Sequence, residues 1–126
     1  MNVVDSCGWL EYFAAGPNAD FFAPALEAPD ELAVPTISVY EVFKRVLQQR
    51  GESEALQAVA LMQQGTVVEL TATLALEAAR TSVALGLPMA DSVMLATARS
   101  FAAPLWTQDA DFEGVDDVHY YAAQSA

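Results

Sequence analysis

The chain has 126 residues, of which 54% are hydrophobic and 17% are charged. This length suits one domain over residues 1–126, and so apolar a composition excludes a disordered chain. The formal net charge of −12 excludes a protein that binds nucleic acid through a generally basic surface. No apolar run approaches the roughly 18 residues of a membrane span, and the single Cys7 cannot form an internal disulfide, so we expect a cytoplasmic protein.

Strand and helix patterns alternate along the chain. β-like runs are predicted at residues 2–5, 32–35, 66–70, 105–107 and 118–121. Helices are predicted at residues 7–15, 19–27, 39–50, 53–64, 73–86 and 90–102, and a frayed tail at 122–126. Ser38 is predicted to cap the helix at 39–50, and Gly51 and Gly86 are predicted to end helices. The alternation predicts an α/β fold with a mostly parallel sheet covered on both faces.

Four carboxylates lie at the edges of apolar segments. Asp5 follows the first β-like run, Asp91 opens an apolar helix, and Asp109 follows the run at 105–107. Glu41 lies among apolar residues near a predicted helix start. In an open α/β sheet the carboxyl ends of the strands meet at one site, and crowded acids stay ionised only when a cation compensates them. The pattern predicts a divalent-metal site, and oxygen ligands suit Mg²⁺.

Four pieces of sequence follow one another at set intervals. They are VVDSC at the start, EVFKR from residue 41, PMADSVMLATA around residue 91 and TQDADF from residue 107. Together they resemble a PIN-domain ribonuclease of the VapC toxin type, over nearly the whole chain. The resemblance implies an α/β/α sandwich with a central, mostly parallel sheet of four to five strands. It also implies an endoribonuclease that is the toxin of a toxin–antitoxin pair and uses one or two Mg²⁺ or Mn²⁺ ions.

Carried onto this sequence, the resemblance makes Asp5, Glu41, Asp91 and Asp109 the catalytic and metal-binding acids. We expect Asp5 and Asp91 to be the principal direct ligands. Asp109 is expected to bind through water or to complete a second metal position. Glu41 is expected to position the attacking water or to bind the metal. Cys7 departs from the family pattern, because a second serine is common at its position.

Five further residues are candidates around this site. Ser6, Thr107 and Asp111 are secondary candidates; Thr107 is expected to hydrogen-bond an acid or the scissile phosphate, and Asp111 is equally well explained as a turn residue. Lys44 and Arg45 are interpreted either as helix partners of Glu41 or as contacts for RNA phosphates.

The resemblance also implies partners. We expect an RNA substrate, a homodimer built from apolar helical surface, and a basic antitoxin that lies over the region of Trp9, Tyr12 and Phe13 with a cation in the acid cluster. The helical spacing of these three residues is most typical of core packing, and part of the stripe is the candidate partner surface. A phosphate-accepting receiver domain is disfavoured, because Asp5 has no acidic neighbour and the only lysine is Lys44. The open alternative is a catalytically silent member of the same fold that binds metal or antitoxin without cleaving RNA.

Overall fold

A computed structural model describes residues 1–124 of the chain. The strands within this range are β1 Val3–Val4, β2 Ala33–Pro35, β3 Thr66–Val68, β4 Leu105–Thr107 and β5 Val118–Tyr120. The α-helices within it are α1 Ser6–Phe13, α2 Ala19–Leu26, α3 Thr36–Arg50, α4 Glu52–Met62, α5 Ala72–Leu85 and α6 Met89–Ser100, with 3₁₀ turns at Pro29–Glu31 and Ala110–Phe112. Every predicted strand and helix is present, with its ends shifted by three residues at most.

All the strand pairs in this range are parallel. β1, β4 and β5 form one ladder and β2 and β3 form a second. A single parallel bridge between Asn2 and Leu32 joins the two ladders, and the Asn2 amide donates to the Glu31 carbonyl at 2.7 Å. The spatial order is therefore β3-β2-β1-β4-β5. From β1 the chain runs outward to β2 and β3 and then crosses back to β4 and β5 on the other side of β1. The strand order reverses between β1 and β4, so a crevice is expected at their carboxyl ends.

The sheet is covered on both faces. Because successive residues of a strand point to opposite faces, the two residues of β1 enter different cores. Val4 packs in a cluster with Phe22 of α2 and Val46 of α3, whereas Val3 packs in a cluster with Leu95 of α6. Helices α1 to α4 thus cover one face and α6 covers the other, which confirms the predicted α/β/α sandwich.

Two helices end at the predicted glycines, but α3 does not begin at its predicted cap. Gly51 (φ 92°) and Gly86 (φ 68°) adopt the positive φ that side chains disfavour, and α3 and α5 end there. Helix α3 begins at Thr36, directly after Pro35 of β2, so the prediction of Ser38 as its N-cap is wrong. The reason is tertiary: the strand leads straight into the helix, and Ser38 is buried in its first turn.

Helix α5 is the helix that contributes least to the core. Among its 14 residues only Ala78 is buried, while Leu76 is 60% and Val83 87% exposed. The apolar outer side of α5 is therefore left without a covering element from residues 1–124.

Within residues 1–124, no single helix is long and apolar enough to cross a membrane, although α5 and α6 together meet those criteria as a pair bent by 114°.

Candidate metal centre

Three of the predicted acids meet at the carboxyl ends of β1 and β4. Asp5 directly follows β1, Asp109 lies two residues after β4, and Asp91 lies in the first turn of α6. One carboxylate oxygen from each of the three lies within 4.8 Å of the others. Asp5 is only 4% exposed, and the other two are half-buried. The strand order brings these residues together, because β1 and β4 are neighbours although 100 residues separate them in sequence.

Glu41 lies beside this triad and not within it. It is the sixth residue of α3, and its Oε1 accepts a hydrogen bond from the Ser6 hydroxyl at 2.8 Å. Both side chains line the same cleft as the three aspartates. The structure thus places all four predicted acids at one cleft and gives Ser6 the role of orienting Glu41.

Thr107 connects the ends of the two central strands. Its buried hydroxyl donates to Asp5 Oδ2 at 2.8 Å and accepts from the Asp109 amide at 3.0 Å. The Cys7 sulfur lies 3.5 Å from the same hydroxyl. Contact with an acid is one of the two roles predicted for Thr107. Asp111, in contrast, is exposed and donates its amide to Asp109 Oδ1 at 2.9 Å, so it shapes the turn and does not line the cleft.

Crowding and burial oppose the ionised forms of two of these acids. Burial, with a smaller contribution from the charge of Asp109, raises the pKa of Asp5 to about 6. Burial, followed by the charges of Asp5 and Asp109, raises the pKa of Asp91 to about 7. The protein therefore holds carboxylates that repel one another at neutral pH, and a cation among them would remove that cost.

The donor set fits a hard divalent cation. The triad offers only carboxylate oxygens, and Mg²⁺ and Mn²⁺ prefer such ligands over nitrogen or sulfur. The thiol of Cys7 is not a competing ligand, because burial raises its pKa to about 12 and keeps it protonated. Asp5, Asp91 and Asp109 are the residues that could hold such an ion.

The basic residues Lys44 and Arg45 of α3 line one side of the cleft. The cleft has a volume of about 400 Å³. It is lined by Asp5, Ser6, Cys7, Leu10, Tyr40, Glu41, Lys44, Arg45, Gln48, Asp91 and Asp109. Of the two interpretations of Lys44 and Arg45, the ion pair with Glu41 is absent from residues 1–124, and the contact with RNA phosphates stays a prediction. Glu41 accepts a hydrogen bond from Ser6, and the Lys44 ammonium lies 5.8 Å from the centre of the Tyr40 ring. Tyr40 and Gln48 were not anticipated, although their helical spacing from Lys44 places them on one face.

Asn18 is a second residue that the sequence did not single out. It is buried, and its Nδ2 donates to Gln108 Oε1 and to the Ala122 carbonyl, each at 3.0 Å. It thereby ties the α1–α2 loop to the residue before Asp109 and to the start of the predicted tail, of which residues 125 and 126 lie outside the described range. A buried asparagine in a loop carries no local sequence signal, because its partners are 90 and 104 residues away.

A second groove adjoins the acidic cleft. It has a volume of about 560 Å³ between α1, α3 and α4, and its apolar lining includes Phe13, Val46 and Leu61. Leu10 lines both this groove and the acidic cleft. Trp9 is only 3% exposed, which confirms its interpretation as a core residue and excludes it from the candidate partner surface.

The raised pKa values predict a pH dependence of stability. Asp5 and Asp91 are protonated in the folded state up to about pH 6 and 7, but the unfolded chain releases these protons near pH 4. The folded state therefore binds more protons between these values, and without metal the free energy of unfolding should fall as the pH rises from 5 to 7.5. We expect a loss on the order of 2 kcal/mol relative to the Asp5→Asn/Asp91→Asn double variant.

Urea unfolding of both proteins at pH 5 and 7.5, with and without Mn²⁺, measures this effect. Because Mn²⁺ binds the ionised carboxylates, its stabilisation of the wild type should be larger at pH 7.5 than at pH 5. An equal response of wild type and double variant to pH would contradict the assignment of these pKa values.

Comparison with known proteins places the chain in a family. The family model of the PIN domain matches residues 3–118, so the chain belongs to the PIN-domain family. Among solved structures, a toxin–antitoxin complex from Klebsiella pneumoniae is 22% identical with a TM-score of 0.80, and the match covers 98% of this chain and 100% of that chain. The Mycobacterium tuberculosis VapC20, a sarcin-ricin loop cleaving toxin, is 20% identical with a TM-score of 0.75 over 92% of this chain and 95% of that one.

A DNA-bound VapBC from Salmonella typhimurium is 11% identical with a TM-score of 0.73, and the match covers 97% of this chain and 98% of that chain. No curated protein matches the chain by sequence. The predicted resemblance to the PIN family is therefore confirmed, and the structural neighbours include VapC toxins at low sequence identity. The clustered acidic triad in this fold is consistent with a nuclease.

Proposed function

We propose that this protein is a Mg²⁺- or Mn²⁺-dependent endoribonuclease and the toxin of a toxin–antitoxin pair. The observation that carries the proposal is the convergence of Asp5, Asp91 and Asp109 within 4.8 Å at the crevice of a PIN fold. Two of these acids have raised pKa values, so their ionised forms are unfavourable unless a cation offsets the negative charge. The choice of substrate class is supported by the Mycobacterium tuberculosis structural neighbour, which is a sarcin-ricin loop cleaving toxin.

Each residue of the site has a part in the proposed phosphodiester hydrolysis. Asp5, Asp91 and Asp109 would hold the ion, which supplies charge neutralisation at the phosphate and a lowered pKa for water. Thr107 keeps the Asp5 carboxylate in place, and Ser6 keeps Glu41 in place. Glu41 is the acid best placed outside the triad to orient the attacking water and accept its proton. Water adds to phosphorus, and the bond from phosphorus to the leaving ribose oxygen breaks.

The experiment that tests this function is an incubation of purified protein with total cellular RNA. We expect discrete cleavage with Mg²⁺ or Mn²⁺ and none with EDTA, and mapping of the new ends identifies the target. Intact RNA in every metal, together with stabilisation of the protein by Mn²⁺, would favour the catalytically silent alternative. Absence of both cleavage and stabilisation would overturn the metal site itself.

The partner protein that fits this surface is a basic antitoxin. The apolar groove lined by Phe13, Val46 and Leu61 is continuous through Leu10 with the acidic cleft. A segment with apolar residues for the groove and an Arg or Lys for the acids would cover both. Structural neighbours were solved as toxin–antitoxin complexes, which supports this proposal. The groove replaces the predicted surface over Trp9.

We also propose a homodimer, in which α5 supplies the predicted apolar helical surface. Leu76 and Val83 are exposed on a helix that buries only Ala78 against the rest of residues 1–124. Sedimentation at micromolar concentration should give twice the chain mass of 13.5 kDa. Val83→Glu should give the monomer, because a charge at the centre of an apolar interface is costly to desolvate.

The matched control is Leu56→Glu on α4, which also places an acid at an exposed leucine but lies outside α5. Neither side chain is needed for the core, so thermal stability of the monomer should change little. A wild type that remains monomeric, or a dimer that survives Val83→Glu, would contradict the proposed interface.

A further inference from the structure

Tyr40 is an exposed aromatic side chain at the mouth of the acidic cleft. It lies one residue before Glu41 on α3, and 61% of it is exposed to solvent. It lines the same cleft as Asp5, Asp91 and Asp109. Other aromatic side chains near this end of the molecule are used for packing: Trp9 is in the core, and Phe13 packs against it. Tyr40 has no comparable packing role, since it belongs to none of the core clusters.

The cations of the chain are distributed unevenly around this ring. Arg50, Arg80 and Arg99 each form an ion pair, with Glu54, Glu77 and Asp117 respectively. Lys44 and Arg45 form none within residues 1–124, and both line the cleft with Tyr40. The Lys44 ammonium lies 5.8 Å from the ring centre, within the range of a cation–π contact. In a chain of net charge −12, the two cations that form no ion pair within residues 1–124 thus line the same cleft as an exposed aromatic ring.

We infer that Tyr40 is a stacking platform for one unpaired base of a single-stranded RNA, with Lys44 and Arg45 holding the flanking phosphates. The inference rests on the proposed ribonuclease function and names the form of its substrate. An aromatic face beside unpaired cations is the combination that binds single-stranded nucleic acid, because every base has a π-face and every linkage a phosphate. A base in a continuous duplex is stacked on its neighbours and cannot lie on the ring.

The position of the ring also gives the platform a function in cleavage. Tyr40, Lys44 and the triad share one cleft of about 400 Å³, a volume within the range of small-ligand sites. A base held on Tyr40 would therefore set which phosphate lies at the acids. The local positive charge is needed because the remaining surface repels RNA.

The test measures binding and cleavage separately. Binding of a labelled 12-nucleotide single-stranded RNA is measured by anisotropy in an Asp5→Asn background, so that the strand stays intact. Tyr40→Leu should weaken binding roughly 5- to 150-fold, the range for loss of one stacked base, whereas Tyr40→Phe should bind like the parent. The matched control is Tyr121→Leu, an exposed tyrosine outside the cleft, which should leave binding unchanged. A blunt duplex of the same sequence should bind weakly, and Tyr40→Leu should not change its affinity.

A series of substrate RNAs is then prepared, each with a single abasic nucleotide at a different position. Cleavage of each RNA is measured with the wild type and with Tyr40→Leu. At one position, loss of the base should raise KM in the wild type but not in Tyr40→Leu, because both changes remove the same contact. Additive effects at every position, or equal binding by Tyr40→Leu and Tyr40→Phe, would overturn the inference. An effect of Tyr40→Leu confined to a basic partner protein would also overturn it and assign the ring to protein binding.

The stacking role of Tyr40 and the ribonuclease function can fail independently of each other. If RNA cleavage does not depend on Tyr40, the ribonuclease proposal is retained and the stacking platform is rejected. If binding of single-stranded RNA depends on Tyr40 but no metal-dependent cleavage occurs, the platform is retained and the ribonuclease proposal is rejected. If the protein with Tyr40 intact binds no single-stranded RNA, the platform is rejected whatever the result for cleavage.

Discussion

Asp5→Asn, Asp91→Asn and Glu41→Gln should each reduce metal-dependent RNA cleavage by at least about 100-fold while the fold survives. Even partners of metal ligands typically contribute about 10- to 100-fold, so loss of a carboxylate at the site should cost more. Stability should move in the opposite direction. At neutral pH without metal, Asp5→Asn and Asp91→Asn remove a carboxylate whose ionised form is opposed by burial and by its neighbours, so the free energy of unfolding should rise by about 1 to 2 kcal/mol.

Asp20→Asn is the matched control. Asp20 lies in the first turn of α2 as Asp91 lies in the first turn of α6, but it is exposed and does not line the acidic cleft. Its replacement should leave cleavage unchanged and slightly lower stability, because it removes only a favourable interaction with the helix dipole. Thermal melts with titrated Mn²⁺ complete the measurement: wild type and Asp20→Asn should gain stability, and the Asp5/Asp91 double variant should gain little. Equal gains would contradict the metal site.

The second large effect concerns the association rate of the antitoxin. The net charge of −12 becomes −8 with two bound divalent ions, so the protein stays strongly anionic even with its site filled. A short basic protein encoded beside this one should therefore associate fast at low ionic strength, and raising salt from about 0.05 to 0.5 M should lower the association rate constant roughly 10-fold or more. Stopped-flow fluorescence over this salt series measures the slope.

Variants of the apolar groove and variants of the acidic cleft should change different quantities in this experiment. Leu61→Ala in the apolar groove should raise the dissociation rate and leave the salt slope unchanged, since apolar contacts act after encounter. Asp91→Asn should instead weaken the salt dependence and relieve competition between antitoxin and metal. An acidic neighbouring gene product, or equal association rates at low and high salt, would refute the electrostatic part of the account and leave the nuclease proposal intact.

Much of the fold could be predicted because its signals are local. Alternating apolar runs with glycine stops at Gly51 and Gly86 identified every strand and helix, and the acids after β1 and β4 indicated where the site would lie. One of the failed predictions was also local in form: Ser38 has the sequence signature of a cap. It is buried instead, because β2 feeds directly into α3 and the packing of the whole helix outweighs the contribution of one cap.

The amino-acid sequence by itself determined the element order, the acidic charge and the set of carboxylates, since these depend on residue type and short-range periodicity. Only the tertiary structure decided which groups meet. The order of the parallel strands places Asp5 against Thr107, the register of α3 turns Tyr40 and Lys44 to the cleft, and packing of α1 removes Trp9 from the surface. These contacts join residues far apart in the chain, and long-range pairing follows from the topology of the sheet and not from any local pattern.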